Sequence, residues 1–410
     1  MKNVSERQRD ILSIISKLDI SPTMFRNAEE KYKAITAFLS ECGIDAEMYP
    51  QGSFAFGTVV RPNTKDSSAN YDLDFICQVN DGRDSCAPSD LRRQIENALN
   101  SNETYKSRLV VYEECFTIEY ADINGVGFTI DIVPAVDESM ENKARLARLS
   151  QFPELIDTSI AVPKHNGERN YSWLTNNPRG FKSWFDKINA PFLDAAKSNY
   201  RQRLFEENRA IYNSVEDIPQ ELERSALQRV IQILKYHRDV YYSHFRDGDD
   251  VKPISAIINT VVAKIASQYN NSLDSVFDLL KFVLDELDIY AERQRLTEGE
   301  FSQRFGNRSV FSKREGKWYI CNPANPEDNL ANKWNENNKI PELFFRWVHS
   351  ARTDIIEALQ LDEDQQFRAA LENGFGRTAV NSVLGKKYCK TDTQAKTITP
   401  QKAPKPYRNL

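Results

Sequence analysis

The chain has 410 residues, 40% of them hydrophobic and 28% charged, with a formal net charge of −5. At roughly 150 residues per domain this is a globular composition for two or three core-forming units. The charge excludes an overall basic nucleic-acid footprint, although the run from Arg304 through Lys317 is a candidate local basic groove whose simpler reading is a solvated loop.

The start, MKNVSERQRD, lacks the apolar core of a signal peptide. No apolar run approaches the ~20 residues that span a bilayer. Cys42, Cys77, Cys86, Cys115, Cys321 and Cys389 are scattered without a C-x-x-C pair. These features predict a soluble protein of a reducing cytoplasm, with Cys77 and Cys115 as buried free thiols on strands.

Ser21-Pro22 predicts a helix start, a capping serine followed by a proline suited to the first turn. Phe25, Ala28, Tyr32, Ile35 and Leu39 then form one apolar stripe, and Gly43 is placed to end the helix. The chain next reaches a Gly-Ser turn at Gly52-Ser53. In YDLDFICQV the residues alternate, so Tyr71, Leu73, Phe75 and Cys77 share one strand face and Asp72 and Asp74 the other. A short helix is expected over Ser89 to Leu99 and a strand over Leu109 to Tyr120. Asn124-Gly125 is a hairpin signal. The returning strand puts Phe128, Ile130 and Ile132 on one face, and Thr129 and Asp131 on the other.

Past residue 150 the strand pattern fades and helical periodicity takes over, in Gln220 to Phe245, Ile254 to Gln268, Ser272 to Arg293 and Pro341 to Leu361. Leu227, Val230, Leu234, His237 and Tyr241 form the buried stripe of the first. The expected organisation is an α+β lobe over 1–150, a helical lobe over 151–385, and a flexible tail or surface strap over 386–410.

Two aspartates at i and i+2 of an apolar strand disfavour it and repel each other. A pair of divalent cations relieves both problems, because Mg²⁺ takes a few carboxylates together with phosphate oxygens. Two such ions can stabilise the attacking and leaving oxygens of an in-line phosphoryl displacement. Asp131, on a neighbouring strand, would hold the ion that activates the attacking hydroxyl. The alternative is three solvated aspartates on an exposed sheet face. Gly52 lets the backbone approach a ligand, and the Ser53 hydroxyl with the following N–H groups can bind a triphosphate. The alternative there is an ordinary turn.

QGS (Gln51 to Ser53), then YDLD, then FTIDIVP, resembles the DNA polymerase β-type nucleotidyltransferase superfamily, here with a long spacer through RPNTKDSSAN. In the second half NNPRGFKSWF, LKYHRD, KPISAIINT and NPANPEDNLANKW resemble the bacterial cGAS/DncV-like nucleotidyltransferases, the cyclic-oligonucleotide synthases of CBASS anti-phage signalling. The resemblance covers roughly residues 20 to 385. It implies a polymerase β-like mixed sheet with helices plus a C-terminal helical lobe, with the active site in the cleft between them.

The resemblance further implies metal ligation and catalysis by Asp72, Asp74 and Asp131, with two Mg²⁺ ions that Mn²⁺ can replace. Nucleotide contacts fall on Gln51, Gly52, Ser53, Lys235 and Ser255. For Lys235 the alternative is a solvated surface residue, and for Ser255 a helix N-cap. The implied reaction condenses nucleoside triphosphates, ATP and GTP foremost, into a cyclic di- or trinucleotide that switches on a linked effector. No Cys/His cluster and no net positive charge accompany the motifs, so no DNA activator and no membrane partner are expected. The rival readings are a linear 2′-5′ oligoadenylate-type or small-acceptor transferase, and a non-catalytic nucleotide-binding module.

Overall fold

The structure is a computed structural model; it describes residues 3–61, 71–123, 126–167, 170–206, 223–291, 300, 303 and 310–389. Helix α1 (Val4–Lys17) leads to α2 (Pro22–Glu41), where the Ser21 hydroxyl accepts from the Met24 N–H and Pro22 occupies the first turn. Gly43, at φ +80°, takes the left-handed conformation that ends the helix. Strand β1 (Ala46–Pro50), the short helix α3 (Gly52–Ala55) and strand β2 (Tyr71–Gly82) follow. Helices α4 (Pro88–Asn100) and α5 (Glu103–Lys106) then precede β3 (Leu109–Val111), β4 (Phe116–Ile123) and β5 (Val126–Asp137).

After α6 (Met140–Leu149) come β6 (Ile160–His165) and β7 (Tyr171–Asn176). One mixed seven-stranded sheet runs in the order β1-β2-β5-β4-β3, with β6 joined to β5 and β7 to β6. The β2–β5 pair is parallel and its neighbours antiparallel. The helical half comprises α7 (Pro178–Glu206), α8 (Ala226–Tyr242), α9 (Gly248–Val251), α10 (Ser255–Ala266) and α11 (Val276–Ala291). Two small hairpins, Ser312–Arg314 with Lys317–Tyr319 and Cys321–Asn322 with Asn325–Asn329, then lead to the helix Lys339–Ala351.

Two large cores result. In the first, Leu73, Phe75, Ile130 and Ile132, all fully buried, pack from one sheet face onto Ile35 and Leu39 of α2 and Leu91, Ile95 and Leu99 of α4. Each such side chain contributes about 1.5–3 kcal/mol relative to exposure, enough to hold the strands against the cost of the aspartates opposite. The second core is helical, around α8, α10, α11 and Lys339–Ala351, and Ile11, Ile14 and Ile15 of α1 belong to it. Thus the first helix packs on the distant half of the chain. Arg7 ties it there, donating to the carbonyls of Leu359 and Leu361 and pairing with Asp364.

Several expectations are corrected. Strands do not end near residue 150: β6 and β7 extend the same sheet to Asn176. Leu109 to Tyr120 is not one strand, because the chain turns through 112–115, the Tyr112 N–H donating to the Cys115 carbonyl. Cys115 is therefore a half-buried turn residue rather than a strand thiol. Helix α8 starts at Ala226, where Ser225 and Gln228 form a capping box. His237 is a packed helix residue as expected, accepting from Trp347 Nε1 and bonded to Asp354.

The spacer 62–70, the tip Asn124-Gly125, residues 304–309 and the tail from 390 lie outside the described residues. The strands on either side of that tip do pair, Ile123 with Val126. At the start of the tail, Lys387 and Tyr388 bind the Asp10 carboxylate of α1. Among the described residues no helix is long and apolar enough to cross a membrane.

Candidate active site

The sheet face opposite the first core carries the carboxylates. Parallel register places Asp74 beside Asp131 and Asp72 beside Thr129. Antiparallel register adds Thr117 beside Asp131. Adjacent strands lie about 4.8 Å apart, so Asp72, Asp74, Thr117, Thr129 and Asp131 form one polar patch. The Thr117 hydroxyl donates to Asp131 Oδ1 at 2.6 Å, and the Thr129 hydroxyl to Asp72 Oδ1 at 2.9 Å. Burial pushes the Asp74 carboxyl up to about 7, with Asp131 and then Asp72 adding to the rise and Lys235 opposing it. Burial also raises Asp131, against the Thr117 bond.

The Gly-Ser turn is docked on this patch. The Gln51 N–H donates to the Asp74 carbonyl at 2.8 Å. Gly52 has φ +61°, and a Cβ there would come within 2.6 Å of Asp74 Oδ2. Only glycine satisfies both the backbone conformation and the approach. The Ser53 carbonyl accepts from the Thr58 N–H, so the chain curls back toward α8. There Gln228, Gln232 and Lys235, one face of α8, donate to the carbonyls of Phe56, Val59 and Thr58 at 2.8, 2.9 and 2.9 Å. Gly57, at φ +63°, leaves room for this, since a Cβ there would lie 2.5 Å from Gln228 Nε2.

Lys235 is therefore not a solvated lysine. It is buried, and burial brings its ammonium down to about 7, with Arg238 adding to the fall and Asp239 and Asp74 opposing it. Ser255 is not an N-cap either: Ile254 holds that position, and Ser255 is the first helical residue, its hydroxyl accepting from Arg238 Nη1 at 3.3 Å.

Two adjoining cavities meet at Ser53, Asp72, Asp250, Lys252 and Ser255. The first, about 660 Å³, takes in Gln51, Gly52, Asp74 and Asp131 from the sheet lobe and Asn259 and Trp334 from the helical half. The second, about 670 Å³, takes in Lys235, Arg238 and Arg246 together with Asp239, Asp247 and Asp249. All eight residues singled out in the sequence thus line one composite cleft between the lobes. Thr117, Thr129, Arg238 and Asn259 are additional. Strand alternation puts both threonines on the aspartate face; Arg238 and Asn259 lie within the motifs LKYHRD and KPISAIINT, but nothing there set them apart from their neighbours.

The cleft's donors are carboxylate and hydroxyl oxygens, which suit a hard divalent cation rather than a soft one. Burial first, and the neighbouring carboxylates second, raise the proton affinities of Asp74 and Asp131, and a cation would offset both. Among the described residues no three His, Cys, Asp or Glu side chains are gathered tightly enough to hold a metal as they stand: Asp72 and Asp131 are turned onto their threonine partners.

Residues 6–150 match the model of the Second Messenger Oligonucleotide or Dinucleotide Synthetase domain. A c-di-GMP synthase of Roseivirga ehrenbergii is 23% identical over 375 residues, 88% of this chain and 83% of that protein. Among solved structures, CdnG of Bradyrhizobium diazoefficiens in complex with GTP aligns over 92% of this chain and 98% of its own, at TM-score 0.63 and 18% identity. The GTP-bound form of DncV from Vibrio cholerae aligns over 83% of this chain and 70% of its own, at TM-score 0.51 and 14% identity. These last two likenesses are of fold. The chain therefore carries a Second Messenger Oligonucleotide or Dinucleotide Synthetase domain over residues 6–150, and over most of its length it shares the fold of CdnG and DncV.

Proposed function

We propose that the protein is a Mg²⁺-dependent synthase that joins purine nucleoside triphosphates, ATP and GTP, into a cyclic di- or trinucleotide that activates an anti-phage effector. The observation that carries this reading is the in-register pair Asp74–Asp131 with the Gly52 backbone pressed against it. That arrangement sets a phosphate-binding turn directly beside a carboxylate patch. The two chambers support it: Lys235, Arg246 and Lys252 reach one, among the carboxylates of Asp239, Asp247, Asp249 and Asp250, and offer phosphates cationic partners, while the carboxamide of Asn259 lines the other, as a nucleobase requires.

In this reading Asp72, Asp74 and Asp131 would hold the ions, which when bound supply charge neutralisation at the reacting phosphate. Ser53 and the backbone of α3 bind the phosphate chain from one side, and Ser255 from the other. Lys235, Arg246 and Lys252 bring positive charge to the departing pyrophosphate, where negative charge grows. Asp131, its proton affinity raised by burial, accepts the proton of the attacking hydroxyl, and Thr117 holds the carboxylate in place meanwhile. The GTP bound by CdnG and the c-di-GMP made by the Roseivirga relative support a purine substrate.

The test is mass spectrometry of products formed from all four nucleoside triphosphates with Mg²⁺. A phosphatase-resistant mass equal to two or three nucleoside monophosphates less one water per linkage, the closing one included, is expected. A phosphatase-sensitive product would assign a linear or acceptor-adding transferase instead.

A further inference from the structure

Arg238 sits three residues beyond Lys235 on the same face of α8 and is buried, yet it lines the second chamber. Most of its guanidinium is already engaged. Nε and Nη2 face Asp239 Oδ1 at 2.8 and 2.7 Å. Nη1 donates to the Pro253 carbonyl at 3.0 Å and to the Ser255 hydroxyl at 3.3 Å. Little of the fork is left for a phosphate. What it does hold is the turn into α10, the element that brings Ser255 to the junction of the two cavities.

A serine hydroxyl has one proton to donate and two lone pairs to accept with. Arg238 occupies a lone pair, so the Ser255 O–H remains free to donate. Ile254 holds the cap position, so no capping bond competes for the hydroxyl. We propose that Arg238 is a positioning residue that fixes the Ser255 hydroxyl as a donor toward the triphosphate. Arginine suits the task because its planar fork bridges Asp239, Pro253 and Ser255 at once, which a lysine ammonium on a flexible stem does not. The inference rests on the nucleotidyltransferase reading above, and it adds a residue that acts on substrate only through another.

The test is a double-mutant cycle in affinity for GTP with Mg²⁺, read by calorimetry, together with pyrophosphate release. Arg238→Gln should weaken GTP binding about tenfold, equivalent to about 1.4 kcal/mol. In a Ser255→Ala background the same change should cost less than twofold, because the hydroxyl it positions is gone. Arg238→Lys should fall between. Equal losses in both backgrounds, or no loss in either, would overturn the proposal. If Arg238→Gln alone does not melt cooperatively, the cycle is run with Arg238→Gln and Asp239→Asn together, which leaves no unpaired carboxylate. An unmodified protein that neither binds GTP nor releases pyrophosphate would overturn the parent reading as well, whereas additive losses in an active enzyme would overturn this one alone.

Discussion

Asp74→Asn tests whether the carboxylate patch stores repulsion when no nucleotide is bound. Asp74 is raised to about 7 from an ordinary 3.8 by burial, Asp131 and Asp72. Between about pH 4 and pH 7 the folded chain therefore binds this proton more tightly than the unfolded chain, and stability falls as pH rises through that window. Each pKa unit corresponds to about 1.4 kcal/mol, so the full loss is on the order of 4 kcal/mol above pH 7. The asparagine variant keeps the shape and never ionises. Near pH 5, about one unit into that window, the variant should be the more stable by only roughly 1–2 kcal/mol. At pH 8.5 the variant should be the more stable by a few kcal/mol, a rise of several degrees in Tm. Urea melts at both pH values without divalent ions read the difference directly. The variant should also release no pyrophosphate. A variant less stable than wild type at pH 8.5, or a difference that does not change with pH, would refute the electrostatic account of the site.

Further expectations follow from individual contacts. Gly52→Ala forces a left-handed alanine against Asp74 Oδ2, so turnover should fall at least a hundredfold; near-normal turnover would separate the turn from the chemistry. Lys235 is brought down to about 7 in the free fold, so nucleotide affinity should weaken as pH rises through that value. Lys235→Arg should flatten that alkaline limb, since a guanidinium stays charged, and an unchanged limb would remove Lys235 from the triphosphate site. Asn259→Leu replaces a buried carboxamide oxygen that has no hydrogen-bond partner. Thermal melts should show equal or higher stability, by roughly 1–3 kcal/mol, alongside weaker nucleotide binding; a large destabilisation would mean the amide serves the fold.

Periodicity exposed the carboxylate face because strand alternation is strict: once Leu73 and Phe75 point into the core, Asp72 and Asp74 have no other side to occupy. The Gly-Ser turn was legible for a similar reason, since the packing of Gly52 on Asp74 admits no side chain. The sheet's later strands were not legible. Ile160–His165 is buried on both sides, with Pro163 within it, so it shows no alternation and reads as an irregular apolar run. The environment of Lys235 escaped as well. Lys235 lies about 100° round α8 from Leu234, and its burial comes from the Phe56–Val59 carbonyls folding over α8, a contact between segments some 175 residues apart in sequence. Arg238 belongs with it: an arginine in a helix gives no local sign that its fork will reach a turn fifteen residues onward.

The most direct measurement is crystallography of the protein with a non-hydrolysable GTP analogue and Mn²⁺, reading the anomalous signal of the metal. The account predicts two sites about 3.5–4 Å apart, both held by Asp72 and Asp74 and one also by Asp131, with the triphosphate running between Ser53 and Ser255 past Lys235. Manganese bound away from these carboxylates, or bound equally well by the Asp72→Asn, Asp74→Asn double variant, would contradict it.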